Sequence, residues 1–159
     1  MPHGPDHTYR TTLAWDGSTG TGYDAYERAH VVAAEPARAH LDLSSDPAFR
    51  GDPGLLNPEQ LLVAAASSCQ LLSFLAVAAR ARLDVVRYLD DATAVMPADP
   101  TPMRITRIEL NPQIWLADTD RPRPTDERLL HLCEVAHREC FIANSLRSEV
   151  VVRPTVNWM

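Results

Sequence analysis

The sequence contains no lysine, so arginine supplies all 15 of its basic side chains. Acidic residues outnumber them, and the formal net charge of the 159-residue chain is −6 at pH 7. No stretch of the sequence forms a basic stripe of the kind that follows a nucleic-acid backbone. The charge pattern therefore argues against nucleic acid as the main partner.

Cysteine is also scarce, with only Cys69, Cys133 and Cys140 in the chain. Their odd number and wide spacing fit a secreted disulfide framework poorly and intracellular thiol chemistry better. The N-terminus has histidine, proline and aspartate where a secretory signal has a basic patch and an apolar run. No segment has the ~18 unbroken apolar residues of a membrane span. We therefore expect a cytoplasmic protein without a membrane partner.

The order of predicted elements indicates an α+β fold. The pattern predicts strands over 8–15, 29–34 and 38–43, a long ordered loop over 44–57, a helix over 58–81, strands over 85–96 and 104–116, a helix over 125–145 and a strand over 149–156. This order lacks the regular βαβ alternation of a doubly wound fold and predicts helices packed on antiparallel sheet. Because there is no repeat and no linker, we expect one domain over residues 1–159.

The first predicted helix has a clear start. Asn57 can cap it, Pro58 suits its first position, and Glu59 faces the positive end of its dipole. Between Leu61 and Ala79 there is no charged residue. A helix that is apolar all round is expected to be buried all round.

The three cysteines fall on the two predicted helices. Cys69 is near the middle of the first, where a thiol is by default a small hydrophobic side chain. It can act as a nucleophile only if arginine or histidine stabilises its thiolate. Cys133 and Cys140 are about 10 Å apart by helical rise along the second helix, too far for a mutual disulfide. A disulfide must therefore involve Cys69.

The second helix also raises the question of a metal. Cys133, His137 and Cys140 form a stripe at i, i+4 and i+7, which could carry ligands, but the sequence has neither a CxxC pair nor HExxH. Three such residues over two helical turns more often mark a packed face. We therefore predict no metal and no cofactor.

Two segments resemble the OsmC/Ohr family of osmotically induced and organic hydroperoxide resistance proteins. Segment 57–69, NPEQLLVAAASSC, is similar to the family's signature helix, in which the peroxidatic cysteine follows the Asn-Pro-Glu start. Segment 136–145, AHRECFIANS, looks like the one that holds the resolving cysteine. The resemblance extends from Trp15 to Val156. Gln70 departs from it, because an aromatic residue often follows the peroxidatic cysteine.

The resemblance implies an OsmC-like fold in an intertwined homodimer, with two long helices of each subunit at the centre and sheets outside. It implies a thiol-dependent peroxidase that reduces organic hydroperoxides, with hydrogen peroxide as a second candidate substrate, through a Cys69 sulfenic acid. Cys140 would then close a Cys69–Cys140 disulfide. A dithiol reductant, of lipoyl type in this family, would reopen it.

The family also implies that an arginine before the second strand acts with Glu59 to bind the thiolate and the peroxide. By its position that arginine is Arg28, with Arg38 and Arg50 as alternatives. Ten residues separate Glu59 from Cys69, about 15 Å along a straight helix. Glu59 must therefore act through Arg28 or in the site of the other subunit, and a monomer is expected to be inactive.

Other functions fit the same sequence. The main alternative is a non-catalytic dimer that keeps the OsmC fold as a structural or small-molecule-binding protein, because fold does not fix function. Its cysteines would be unreactive. A metal-stabilised domain would copurify with zinc, and a small-molecule carrier would bind ligand without turnover. The sequence assigns no role to Cys133.

Overall fold

The computed structural model describes residues 4, 6–99 and 101–159, which form a mixed α+β structure. The strands are β1 Thr12–Ala14, β2 His30–Ala33, β3 His40–Leu43, β4 Val85–Asp90, β5 Thr93–Val95, β6 Arg107–Leu110, β7 Pro112–Leu116, β8 Glu149–Val152 and β9 Thr155–Trp158. The α-helices are α1 Pro58–Arg80, α2 Asp126–Arg138 and α3 Phe141–Ser145. The chain divides into two units, Met1–Leu61 and Leu62–Met159. A single domain over 1–159 stays a prediction.

The N-terminal unit contains an antiparallel sheet of order β1-β2-β3. The following loop is ordered, as predicted, and includes a 3-10 turn over Pro47–Phe49 that Asp46 caps. Asn57 begins α1 with a reciprocal cap, because its Oδ1 accepts from the Gln60 N–H at 2.8 Å while Gln60 Oε1 accepts from the Asn57 N–H at 3.0 Å. The predicted helix start is therefore confirmed.

The C-terminal unit contains two further sheets, of order β4-β7-β9 and β5-β6-β8. The β4–β7 and β5–β6 pairs are antiparallel, but β7–β9 and β6–β8 are parallel. The prediction of antiparallel sheet was therefore only partly right. Each of the three strands predicted over 85–96, 104–116 and 149–156 is divided into two shorter strands. In every case one of the two belongs to one sheet and the other belongs to the second sheet.

The strand pattern over 104–116 agrees with the burial of alternate residues in β6 and β7. Ile108, Leu110, Ile114 and Leu116 are all buried, with 0–1% exposure. They serve two clusters because β6 and β7 belong to different sheets. The β7 residues pack with residues of α1 and α2, whereas the β6 residues pack around Ala66 of α1. Helix α1 therefore contributes to both cores.

Helix α1 is not buried all round, contrary to the expectation from its composition. Its buried side chains are Ala66, Gln70, Phe74, Val77 and Ala78. The opposite face is exposed in the single chain and has no charge between Leu61 and Ala79; Leu72, for example, is 63% exposed. The sheets and α2 of one chain cover a single face of this helix.

Helix α1 also corrects the expectation that no segment has the properties of a membrane span. By length and composition it could cross a membrane, and 28% of its most apolar 18-residue stretch is buried. Between Leu61 and Ala79 its few polar residues are uncharged and do not offset the leucines and alanines around them. The core helix of a soluble protein passes the same test, so this finding is weak evidence for a membrane.

The second predicted helix is interrupted. Thr125 caps α2 as expected, its Oγ1 accepting from the Arg128 N–H. The helix ends at Arg138 instead of continuing to residue 145, and α3 begins after Cys140. The Asn144 side-chain amide donates to the carbonyls of Arg138 and Cys140, both at 2.9 Å. These bonds satisfy backbone carbonyls at the break and stabilise the change of direction.

Candidate active site

Cys69 lies on α1 and is half-buried. Its Sγ accepts a hydrogen bond from the backbone N–H of Ile142 at 3.5 Å. Ile142 is the second residue of α3, where backbone N–H groups have no partner within the helix. The start of α3 therefore directs a backbone donor at the Cys69 sulfur.

Cys140 lies next to Cys69 because the chain turns between α2 and α3. It is 1% exposed and is the N-terminal cap residue of α3. Burial raises the pKa of Cys140 to about 11; a side-chain hydrogen bond with Cys69 adds to this, and the N–H groups of Ala143 and Ile142 oppose it. The structure thus brings the two predicted cysteines together, one half-buried and the other buried.

Tyr88 and Gln70 form part of the surroundings of the thiols and were not predicted as site residues. The pKa of Tyr88 is raised, first by burial and then by Asp90, Cys133 and Cys140. Gln70 is 1% exposed, and within the described residues its Oε1 has no hydrogen-bond partner. For Gln70, the one indication in the sequence was a side-chain amide directly after Cys69 in an otherwise apolar stretch of helix.

Asp90 fixes α1 relative to the neighbouring strands. The Ser67 hydroxyl, two residues before Cys69, donates to Asp90 Oδ2 at 2.5 Å. The backbone N–H of Asn111, between β6 and β7, donates to Asp90 Oδ1 at 2.7 Å. One carboxylate therefore connects the helix that carries Cys69 with the end of β4 and with both sheets of the C-terminal unit.

Cys133 belongs to the apolar core. It is 5% exposed and packs in the cluster of Phe74 and Leu129. Its pKa is raised to about 11 by burial, with a smaller contribution from Glu134. Because α2 ends before Cys140, the predicted stripe with His137 is not continuous. In the part of the chain that the structure describes, no group of three or more His, Cys, Asp or Glu side chains is arranged to hold a metal ion.

Arg28 lies in the N-terminal unit, two residues before β2, and is 9% exposed. Its two terminal nitrogens donate to the carbonyls of Tyr26 at 2.7 Å and Tyr23 at 2.6 Å. Its guanidinium also stacks over both tyrosine rings, with its carbon 3.9 Å and 5.0 Å from their centroids. The two tyrosines thus hold the predicted arginine.

Arg28 also lines a cavity of about 360 Å³ within this unit. The wall includes Trp15, Tyr26, His30 and Ser44. The wall is mostly apolar. Arg28 is the one arginine among the described residues that line it, and its side chain is charged at any physiological pH. The predicted thiolate-binding arginine is therefore next to a space that a small molecule can enter.

The other predicted residues of this unit do not join Arg28. Glu59 is half-buried in the first turn of α1, and among the described residues of this unit it forms no ion pair with Arg28. Of the alternative arginines, Arg50 forms an exposed ion pair with Asp24 at 2.8 Å. Arg38 is exposed.

The fold and the two neighbouring thiols define an α+β protein with a candidate dithiol site. Comparison with sequence families makes the class specific, because the model of the OsmC-like protein family matches residues 51–155. The chain therefore belongs to the OsmC-like family. Comparison with curated proteins finds no match.

Solved structures agree with this assignment. An OsmC-like protein of unknown function from Vibrio cholerae is 27% identical, with a TM-score of 0.84 over 94% of this chain and 100% of its own. An organic hydroperoxide resistance protein from Elizabethkingia anophelis is 20% identical, with a TM-score of 0.69 and coverage of 98% and 99%. One from Legionella pneumophila is 18% identical, with a TM-score of 0.64 and coverage of 95% and 97%. The chain thus has the OsmC-like fold predicted from its sequence.

Proposed function

We propose that this protein is a cytoplasmic thiol-dependent peroxidase that reduces organic hydroperoxides. The observation that carries the proposal is the half-buried Cys69 next to the buried Cys140 at the start of α3. Membership of the OsmC-like family supports it. So do the names of two similar structures, which are organic hydroperoxide resistance proteins.

The first step is attack of the Cys69 thiolate on the distal oxygen of the hydroperoxide. The O–O bond breaks, the sulfur is oxidised to a sulfenic acid, and the other oxygen leaves as an alcohol after taking up a proton. In our proposal Cys69 is the nucleophile of the pair because it is the less buried of the two and its sulfur accepts the Ile142 N–H. Cys140 is held as a thiol by its raised pKa.

The second step uses Cys140 to resolve the sulfenic acid. Its sulfur attacks the oxidised Cys69 sulfur, water leaves, and a Cys69–Cys140 disulfide forms. An external dithiol, of lipoyl type in our proposal, then exchanges with this disulfide and restores both thiols while becoming a disulfide itself. The proximity of the two thiols supports this step, since a hydrogen bond with Cys69 contributes to the raised pKa of Cys140.

Arg28 and Glu59 have supporting roles in this proposal. Arg28 supplies the fixed positive charge that stabilises the thiolate and the departing oxygen. Glu59 orients Arg28, either directly or across the interface of a homodimer. The apolar surroundings of Cys69, which include Leu62, Leu72 and Leu75, favour organic hydroperoxides over hydrogen peroxide.

Counting free thiols tests the proposal. One equivalent of cumene hydroperoxide added to the reduced protein is expected to remove two of the three thiols rapidly. Cys69→Ser is expected to lose none, because the remaining thiols are buried and protonated. Cys133→Ser is the matched control and is expected to lose two, like the wild type.

The alternative, a dimer that uses the OsmC fold for structure or binding, predicts a different result. Thiol loss would be slow in the wild type and the same in Cys69→Ser. That outcome would contradict the peroxidase proposal.

A further inference from the structure

The C-terminal unit contains a second cavity, of about 520 Å³, that the thiol chemistry does not use. Its charged and aromatic lining residues are Arg82, Asp84, Arg121, Arg123, Arg128 and Trp158. They come from the turn after α1, the segment after β7, the first turn of α2 and the end of β9. We call this cavity the arginine pocket. Its volume is in the range of small-molecule sites.

Charge in the arginine pocket is strongly positive. Arg123 is already paired, since its guanidinium contacts the Asp118 carboxylate, with Nε 2.6 Å from Oδ1, and stacks over the Trp158 ring at 4.8 Å. The side chains of Arg82, Arg121 and Arg128 form no ion pair with any carboxylate in residues 4, 6–99 and 101–159. In a chain of net charge −6, three such arginines around one cavity are unexpected. They are available to an anion from outside.

The backbone at Arg82 supports a role for its side chain. Arg82 has φ of +59° in the left-handed region, where glycine is favoured. It ends α1 in a Schellman motif, in which its N–H donates to the Ala79 carbonyl at 3.0 Å and the Leu83 N–H to the Ala78 carbonyl at 2.9 Å. Glycine would make this turn without strain. An arginine here keeps a guanidinium at the pocket at a cost in backbone energy.

The arginine pocket is separate from the thiols. Arg80, the last residue of α1, is eleven residues beyond Cys69, which corresponds to about 16 Å along the helix. A ligand in the pocket therefore does not contact the reacting sulfur. Any binding there is a property of its own.

We propose that the arginine pocket binds a small organic polyanion through phosphate or carboxylate oxygens. Guanidinium groups present paired donors that match both kinds of oxygen, and they bind them better than a point charge does. Three free guanidiniums around one space favour a molecule with at least two negative charges. Asp84 also lines the pocket. Its carboxylate repels the anionic groups of a ligand and can accept a hydrogen bond from a ligand hydroxyl.

Titration calorimetry on the reduced full-length protein tests the proposal at low ionic strength, with three probes. Inorganic pyrophosphate represents phosphate ligands, citrate represents polycarboxylates, and acetate is the monoanion control. Pyrophosphate or citrate is expected to bind at one site per chain, and acetate is not. The tighter of the two identifies the source of the oxygens. No binding by either polyanion would overturn the proposal.

Substitutions locate the site. Arg121→Gln and Arg128→Gln are each expected to weaken binding at least about tenfold, because a charge-assisted hydrogen bond is lost. Arg10→Gln makes the same charge change at an exposed position in the other unit and is expected to leave binding unchanged. Equal weakening by Arg10→Gln would mean that net charge alone attracts the anion, and would contradict the proposal.

Arg82→Gly separates binding from folding. Glycine relieves the left-handed backbone, so this variant is expected to melt at a higher temperature than the wild type while binding the polyanion at least about tenfold more weakly. A variant that merely unfolds would melt lower. Wild-type affinity in a folded Arg82→Gly protein would overturn the role of Arg82 and with it the proposal.

Discussion

At the scale of single residues, the two thiols of the site differ in surroundings more than in chemistry. Cys69 is half-buried and its sulfur accepts a backbone N–H, whereas Cys140 is buried and its pKa is raised to about 11. In our proposal, peroxide from solvent therefore meets Cys69 first. Cys133, also with a pKa of about 11 and packed among apolar side chains, has the surroundings of a structural residue.

Arg28 gives a prediction at the same scale. Its side chain satisfies the carbonyls of Tyr23 and Tyr26, so Arg28→Ala leaves both without this donor and is expected to cost about 2 kcal/mol in the free energy of unfolding. Because its charge is also lost from the proposed site, peroxidase activity is expected to fall by about 100-fold. Urea unfolding and a steady-state hydroperoxide assay measure the two effects.

The control for this prediction is Arg50→Ala. The Arg50 side chain forms an exposed ion pair with Asp24. The Arg50→Ala variant is therefore expected to change the free energy of unfolding by less than about 0.5 kcal/mol and to keep its peroxidase activity. If Arg28→Ala kept full activity while losing stability, Arg28 would have a structural role only. Arg38 and Glu59 would then need to be tested as activating residues.

At the scale of elements, the site depends on α1 and on the break between α2 and α3. The start of α1, its cysteine and the cap of α2 could be predicted, because capping residues and apolar composition are local signals. The break at Cys140 could not, since no proline or glycine marks it. It is held by the Asn144 side chain, and a contact of this kind is not encoded in helical periodicity.

The sheet pattern has the same limit. The alternation in residues 104–116 correctly identified the buried side chains, because burial follows the period of a strand. It did not identify the step at Asn111, where the chain passes from one sheet to the other. Nor could it give the parallel pairing of β8 with β6 and of β9 with β7, because the paired strands are about 40 residues apart in sequence.

Asp90 gives a prediction for the elements. It accepts from Ser67 on α1 and from Asn111 between β6 and β7, so Asp90→Ala is expected to lower the free energy of unfolding by about 2–3 kcal/mol. Loosening α1 is also expected to slow oxidation of Cys69. Asp91→Ala removes a neighbouring exposed carboxylate and is expected to be neutral. Equal stability of the two variants would contradict this account of how α1 is positioned.

At the scale of the whole molecule, the exposed face of α1 is the main unexplained feature of the single chain. Leu72 and Leu75 are 63% and 37% exposed on a helix without charge over most of its length. Apolar surface of this kind is typical of a protein interface. We therefore propose that this face packs against a second copy of the chain, as the family resemblance implies.

Leu72→Glu tests the homodimer. A buried charge at the proposed interface is expected to shift the molar mass in solution from twice the 17.6 kDa chain mass to the mass of one chain, measured by light scattering. If the site needs both subunits, peroxidase activity is lost as well. Leu89→Glu alters an exposed leucine of β4 and is expected to remain dimeric and active. Full activity in a folded monomer would contradict the shared site.

The central claim is that peroxide oxidises Cys69 and that Cys140 resolves it. The most direct measurement is peptide mapping by mass spectrometry after reduced protein meets one equivalent of cumene hydroperoxide under non-reducing conditions. The account predicts a single new cross-link between the peptides of Cys69 and Cys140, and a trapped Cys69 sulfenic acid in Cys140→Ser. A cross-link through Cys133, or no modification of Cys69, would contradict it.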